Sequence, residues 1–195
     1  MGALHDKRFP GEGAAYREAR DELLGAEMEL RRQIEKVAEM RRSLPSGGLP
    51  PEDYVFEQGP VDLAAGDTAT PIKLSELFSP GKNTLVLYSL MYGPDAEGAC
   101  PMCTALLDSL NGSAPHIEQR VNFAVVAKAR LPKIRAWARD RGWTNLRLLS
   151  SHGNSYNTDY FAETPDGAQI PPCNVFVKTP DGVRHNYATE LLFAP

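Results

Sequence analysis

Two cysteines, Cys100 and Cys103, stand in the tetrad C-P-M-C a short loop beyond a nearly unbroken apolar run, Thr84 to Tyr92 (T-L-V-L-Y-S-L-M-Y). Such a run suits a central strand covered on both faces. The residues from about Cys103 read as a helix spanning Ala105, Leu106, Leu107 and Leu110. The tetrad therefore falls where a buried strand hands over to a helix, and that placement has a chemical consequence. At a helix N-terminus the unpaired N–H groups and the positive end of the dipole favour a thiolate. They lower a pKa that is ordinarily about 8.5. A second cysteine one turn on is placed to attack a mixed disulfide formed on the first. Cys100 is the expected nucleophile and Cys103 the resolving thiol. Pro101 suits the first helical turn because its φ is preset and it has no N–H to leave unpaired.

Seventy residues later, Ile170-Pro171-Pro172-Cys173 runs into an apolar stretch, Asn174 to Lys178, and then into Thr179-Pro180-Asp181-Gly182 and Val183 to Tyr187. This is a β-hairpin pattern with a proline at its entrance. A cis bond at Pro171 would expose the backbone of Ile170 for strand-like pairing with a bound peptide; a trans strand-entry proline is the plainer alternative. Ile170 and Pro171, with Pro101 and Met102, are the expected substrate groove. Cys173, on a buried strand, reads as a small core residue rather than a third redox thiol.

The remaining elements alternate. Asp53 to Glu57, Val121 to Ala127 and Leu146 to Ser150 read as strands, and Lys73 to Phe78 as a helical turn. A helix opening at Pro132 carries Leu131, Ile134, Trp137 and Ala138 on one face and ends near Gly142. The order describes an α/β domain, a parallel core finished by an antiparallel hairpin, over residues 53–195. Ahead of it lie a Pro/Gly linker at 45–52 and a charged amphipathic helix at 14–44, within an N-terminal segment of residues 1–44. Leu23, Leu30, Val37 and Leu44 recur every seven positions, while Glu27 with Arg31, Glu29 with Arg32 and Glu39 with Arg42 are spaced to pair. Barely three heptads, with Gln33 in the seam, favour a helix packed on its own chain or a loose homodimer contact over a coiled-coil arm.

These features resemble the thioredoxin fold, with C-P-M-C after the 84–92 strand and Ile170-Pro171 ahead of the 173–177 strand. More closely, residues 52–193 resemble the DUF899 family of thioredoxin-like bacterial proteins. The matching stretches are E-D-Y-V-F, M-Y-G-P-D with G-A-C-P-M-C, V-N-F-A-V-V-A-K-A, R-G-W, L-R-L-L-S-S and Y-A-T-E-L-L-F-A-P, and the helical leader is similar too. The resemblance implies a dithiol–disulfide oxidoreductase, which is the family's predicted activity. Family members run on past the F-A-P, so a short or truncated member is expected. Against ordinary thioredoxin, Gly98-Ala99 replaces the aromatic before the first cysteine. The Gly93–Ala99 loop is also longer and carries Asp95 and Glu97. Those carboxylates would either raise the thiolate's pKa or accept the resolving thiol's proton.

Two other chemistries compete. A peroxiredoxin-like peroxidase would want P-x-x-x-T-x-x-C; here Glu97 stands three before Cys100, and Pro94 six before rather than seven. A copper or zinc carrier could join Cys100 and Cys103 to His152, His185 or Cys173. The C-x-x-C spacing and the lack of a second close pair weigh against it, so no metal is assigned. A partner-binding scaffold without turnover is a third possibility. His152, Tyr156 and His185 are further candidate modulators, and Asn154, Tyr156, Asn157 and Tyr160 read equally as a substrate-facing wall or as a capped helix start. His116 reads as a surface cap. Lys128, Arg130, Lys133, Arg135, Arg139, Arg141 and Arg147 gather along one stretch, as a solvated helix face or a docking patch for an acidic partner.

Partners follow from charge and segments. A net charge of −4 argues against nucleic acid, and no stretch approaches the roughly 18 apolar residues of a membrane span. The start, Met1 to Lys7, has no apolar signal region. Three cysteines are too few and odd in number for a secreted disulfide framework. A cytoplasmic chain is expected, without an organic cofactor, acting on a disulfide-containing protein or a small-molecule thiol.

Overall fold

The apolar run beginning at Thr84 forms the spine of the sheet. In the computed structural model, which describes residues 4–194, the chain divides into two units that part between Pro45 and Ser46.

The first unit is carried by one helix, α1 (Ala14–Arg42). Arg17 lies buried near its start and pairs with Glu12 at 3.4 Å and Asp21 at 3.0 Å. Glu29 pairs with Arg32 and Glu39 with Arg42, but Arg31 turns to Glu35 rather than Glu27. Leu23, Leu30, Ile34 and Met40 are exposed along the helix.

The second unit holds a seven-stranded sheet. Its strands are β1 (Val55–Gln58), β2 (Thr70–Lys73), β3 (Thr84–Ser89), β4 (Asn122–Ala127), β5 (Leu148–Ser150), β6 (Cys173–Thr179) and β7 (Gly182–Ala188), in the order β2-β1-β5-β4-β3-β6-β7. The three central strands β3, β4 and β5 are parallel, and β1–β2 and β6–β7 flank them as antiparallel hairpins. β2 is the strand absent from the sequence reading. Its Pro71 is tolerated because β2 is the sheet's edge.

Alternation sorts the side chains. Val86, Tyr88 and Leu90 face one side of the sheet, with Phe123, Val125, Leu148 and Cys173. Leu85 and Leu87 face the other, with Val126, Leu149, Phe176 and Tyr156. The first side is covered by α2 (Pro101–Ile117) and α3 (Leu131–Arg141). α2 starts at Pro101, two residues earlier than the sequence pattern suggests. It also tolerates Pro115 near its end. The Asn111 carbonyl, which the missing Pro115 N–H would have paired in an ordinary helix, instead accepts from Asn145 Nδ2 at 3.1 Å. Beneath that turn the Trp143 indole is buried and donates to Asp108 at 2.8 Å.

Arg135 of α3 shows how the loop between β1 and β2 is held. Arg135 is 2% exposed, and its guanidinium donates to the carbonyls of Pro60 at 2.7 Å, Asp62 at 3.0 Å and Gly66 at 2.8 Å, and to Asp67 Oδ1 at 3.0 Å. The loop can wrap this closely only because residue 59 is glycine; a Cβ there would lie 2.6 Å from Arg135 Nη1. Most of the basic stretch is likewise engaged within the domain. Arg139 pairs with Asp67, Arg141 with Asp108 and Lys128 with Glu163, while Lys133 donates to the Pro94 carbonyl.

Candidate active site

Cys100 occupies the N-cap of α2, with φ −52° and ψ 128°. Its position is fixed on both sides. Its N–H donates to the Met91 carbonyl at 2.9 Å, and its carbonyl accepts from Thr104 N–H at 2.9 Å. No side-chain oxygen caps the helix. The Cys100 thiol lies at this end of the helix, where the backbone N–H groups of Cys103, foremost, and of Met102 push it below the ordinary thiol range. Contact with the Cys103 thiol adds to this. Burial, which opposes the effect, is modest because Cys100 is only half-buried. The next position outward, Met102, is 83% exposed, so the sulfur lies beside open surface.

Cys103 is the opposite case. It is 3% exposed, and burial pushes its thiol up. The Tyr88 hydroxyl, reaching across from β3, and the Met91 backbone partly offset that by hydrogen bonding to its sulfur. Both cysteines are free thiols. The site therefore holds one acidic, accessible thiol and one buried, weakly acidic thiol in contact.

The loop before Cys100 is shaped from α3. Lys133 Nζ donates to the Pro94 carbonyl at 2.9 Å and sits 5.2 Å above the Tyr92 ring. The Trp137 ring packs 5.9 Å from Tyr92, and its indole donates to Thr104 Oγ1 at 3.2 Å. Gly98 leaves room for Trp137, since a Cβ there would come within 3.1 Å of the indole. The aromatic missing before the first cysteine is thus replaced by one from a neighbouring helix. Asp95 and Glu97 are exposed on this loop, and the Cys100 pKa is lowered, foremost by the Cys103 N–H, rather than raised by a carboxylate.

Pro171 lies on the same side. With Tyr88, Cys173, Leu106, Leu110 and Leu192 it lines an apolar cavity of about 410 Å³. The described residues contain no cis peptide bond, so Pro171 follows a trans bond. The Ile170 N–H is already given to the Ala162 carbonyl at 2.9 Å, and the Pro172 carbonyl accepts Ser89 N–H at 2.9 Å. A peptide entering this groove cannot use the Ile170 N–H for strand-like pairing. Cys173, partnered with Tyr88 across the β3–β6 ladder, is pushed up by burial.

Two candidate modulators lie elsewhere. Tyr156 is fully buried on the opposite side of the sheet, where its hydroxyl accepts from Asn174 Nδ2 at 3.2 Å. Asn157 is buried beside it, bonded to Ser151 and Gln169. His185 shares that side, 2.9 Å from Asn174 Oδ1 and packed on the rings of Phe176 and Tyr160. Neither Tyr156 nor His185 faces the cysteines, because the sheet stands between. His152 follows β5, and its Nδ1 is buried with no hydrogen-bond partner. Among the described residues no cluster of three or more His, Cys, Asp or Glu side chains is arranged to hold a metal. His116 is exposed near the end of α2.

A thioredoxin-like α/β sheet with a free C-x-x-C dithiol at a helix N-terminus defines the class. The chain belongs to the DUF899 family, described as "Bacterial protein of unknown function", whose model matches residues 7–191. Among solved structures it is similar to reduced 2-Cys peroxiredoxin of Plasmodium vivax, at 16% identity and TM-score 0.53, covering 74% of this chain and 84% of that one. It is also similar to a PrxQ mutant of Xylella fastidiosa, at 17% identity and TM-score 0.52, with 74% and 84% covered. A third is thioredoxin peroxidase I of Plasmodium yoelii, at 16% identity and TM-score 0.53, with 74% and 78% covered. At such identities the likeness is one of fold. No curated protein matches the chain. Among the described residues no helix is long and apolar enough to cross a membrane.

Proposed function

We propose that this protein is a cytoplasmic thiol–disulfide oxidoreductase working through Cys100 and Cys103. The observation that carries the reading is the division of acidity within the tetrad. Cys100 is half-buried at the helix N-terminus with its pKa lowered by the Cys103 and Met102 N–H groups, whereas Cys103 is buried with its pKa raised.

That division orders the steps. The Cys100 thiolate attacks one sulfur of a substrate disulfide, forming a mixed disulfide and expelling the first substrate thiolate. Cys103 then loses its proton and attacks the Cys100 sulfur. The second substrate thiolate leaves, a Cys100–Cys103 disulfide remains, and two electrons have passed to the substrate. The Tyr88 hydroxyl, bonded to the Cys103 sulfur, stabilises the resolving thiolate as it forms. Met102, Pro101 and the apolar cavity at Pro171 supply the surface on which a disulfide-bearing partner would rest.

A Cys103→Ser variant exposed to oxidised glutathione is expected to hold one glutathione on Cys100, readable by intact mass and peptide mapping. A variant that stays unmodified while the wild type also stays reduced would overturn the reading. A peroxiredoxin-like peroxidase is the second reading, favoured by the names of the fold neighbours, while the motif weighs against it at the position three before Cys100, Glu97 rather than threonine. Hydroperoxide added to the same assay separates the two: a peroxidase forms a sulfenic acid on Cys100 before any disulfide.

A further inference from the structure

Arg135 and Arg147 are the two arginines of the basic stretch that the fold buries wholly or in part, and among the described residues Arg147 has no ion pair. It precedes β5 and is half-buried at the rim of an open-mouthed cavity of about 470 Å³. Its hydrogen-bond partner is neutral, Gln58 Oε1 at 2.9 Å, and no carboxylate lies within ion-pair distance among the described residues. Arg135, Arg139 and Arg141 each have an aspartate instead. A guanidinium carries five N–H donors in a rigid fork. Arg147 gives one of them to Gln58 and lines the cavity.

The surroundings fit an anion of a particular kind. Arg135 and Arg139 share the single carboxylate of Asp67. The same loop also carries Asp62, so the two arginines and two aspartates of this cluster balance. Glu118, on the rim, is the one acid among the lining residues, and its field bears on Arg147. With Arg147 set against Glu118 there is no surplus of positive charge for a second negative charge to meet, which suits a monoanion better than a phosphate carrying nearly two charges. Gln58, whose oxygen faces Arg147, has its amide N–H₂ as a further donor, and Thr144 brings a hydroxyl. The lining also has an apolar part, made by Pro60, Val61, Leu63 and Leu148. Val61 stands 97% exposed at the mouth. The loop presenting Pro60 and Leu63 is clamped by Arg135, so the cavity has a fixed wall. A cavity with one cationic fork, amide donors and an apolar wall matches the way ligand sites orient amphipathic small molecules.

We infer that the cavity beside Arg147 binds a small organic monocarboxylate, its carboxylate on the Arg147 fork and its apolar body against Pro60, Leu63 and Leu148. None of the cysteines lines this cavity, so the site is separate from the C-P-M-C tetrad and stands whether or not the oxidoreductase reading does.

The test is a titration of the ¹⁵N-labelled full-length protein with benzoate, read by amide shifts and by calorimetry, with acetate and inorganic phosphate as comparison probes. Saturable shifts confined to residues 58–63 and 144–148 are expected, with benzoate binding more tightly than acetate or phosphate. Arg147→Gln should weaken benzoate at least tenfold, Arg147→Lys should lose at least threefold because the fork is gone, and Glu118→Gln should tighten it severalfold. Absence of saturable binding, shifts centred elsewhere, or phosphate binding as tightly as benzoate would overturn the inference. So would unchanged affinity in Arg147→Lys, the variant that decides should Arg147→Gln not fold.

Discussion

Tyr88 and Cys173 stand opposite one another across the β3–β6 ladder, and from that position the Tyr88 hydroxyl reaches the Cys103 thiol on α2. One buried phenol thus links the resolving cysteine to the strand that follows Pro171 and Pro172. Burial keeps the phenol protonated, its pKa pushed well above the ordinary value of 10.0, so it serves Cys103 as a donor. Tyr88→Phe removes that donor and leaves the Cys100 surroundings alone. The first attack should keep its rate within about twofold, while resolution of the mixed disulfide slows by about tenfold, the equivalent of one hydrogen bond of about 1.4 kcal/mol to a developing charge. Rapid-mixing kinetics with a chromogenic disulfide, resolved into two phases, checks this.

Acidity should distinguish the three cysteines. Cys100 is lowered by the Cys103 and Met102 N–H groups; Cys103 and Cys173 are raised by burial. Iodoacetamide should therefore modify Cys100 at a pH where ordinary thiols are still protonated, and Cys103 and Cys173 only at higher pH or on unfolding. Rate against pH, read peptide by peptide, gives the three curves. Equal midpoints for Cys100 and Cys103 would remove the basis of their assigned roles.

The same shifts carry a stability consequence. A group whose folded pKa is raised stabilises the fold below its unfolded pKa, and that contribution is lost as pH rises through the folded value. Cys103, Cys173, Tyr54, Tyr88 and Tyr156 are all raised, each chiefly by burial. Cys100 works the other way: its contribution is present above the ordinary thiol pKa and is lost as pH falls through the lowered value. The five raised groups outnumber it. Urea unfolding should show stability holding to about pH 8.5 and falling steadily above the ordinary thiol and phenol values.

Arg135 offers a structural check. Arg135→Met removes the donor from three carbonyls and from Asp67, and a broken buried charge network of this kind typically costs about 3–5 kcal/mol. Asp67 keeps Arg139, and the loop carbonyls can turn to water, so the lower end, about 3 kcal/mol, is expected. Chemical denaturation measures it, with increased protease sensitivity confined to residues 59–67.

Much of this arrangement was legible from residue patterns. The Thr84 run, the C-P-M-C tetrad and the Thr179-Pro180-Asp181-Gly182 turn are local signals, and each lies in the element its pattern describes. What escaped depends on partners distant in the chain. Trp137 reads as one apolar position on a helix, and only its approach to Gly98 shows that it walls the cysteine loop. β2 is short and contains a proline, so its strand character comes entirely from pairing with β1. Arg135 sits in a basic run that looks solvated; its burial is made by carbonyls from a loop about seventy residues earlier. His185 was open to simple counting. From the Pro180-Asp181 turn the register sets it beside Phe176, three positions from Cys173, and hence across the sheet from the cysteines. Tyr156 offered no such period, since its helix, α4 (Tyr156–Asp159), has only four residues.

Redox equilibration of the full chain in graded glutathione buffers, with thiol trapping and intact-mass readout, tests the roles of Cys100 and Cys103 most directly. A reversible two-electron transition confined to Cys100 and Cys103 is expected, with Cys173 remaining a thiol throughout. A pair that stays reduced across the whole range, or that reacts only once the protein is denatured, would contradict those roles.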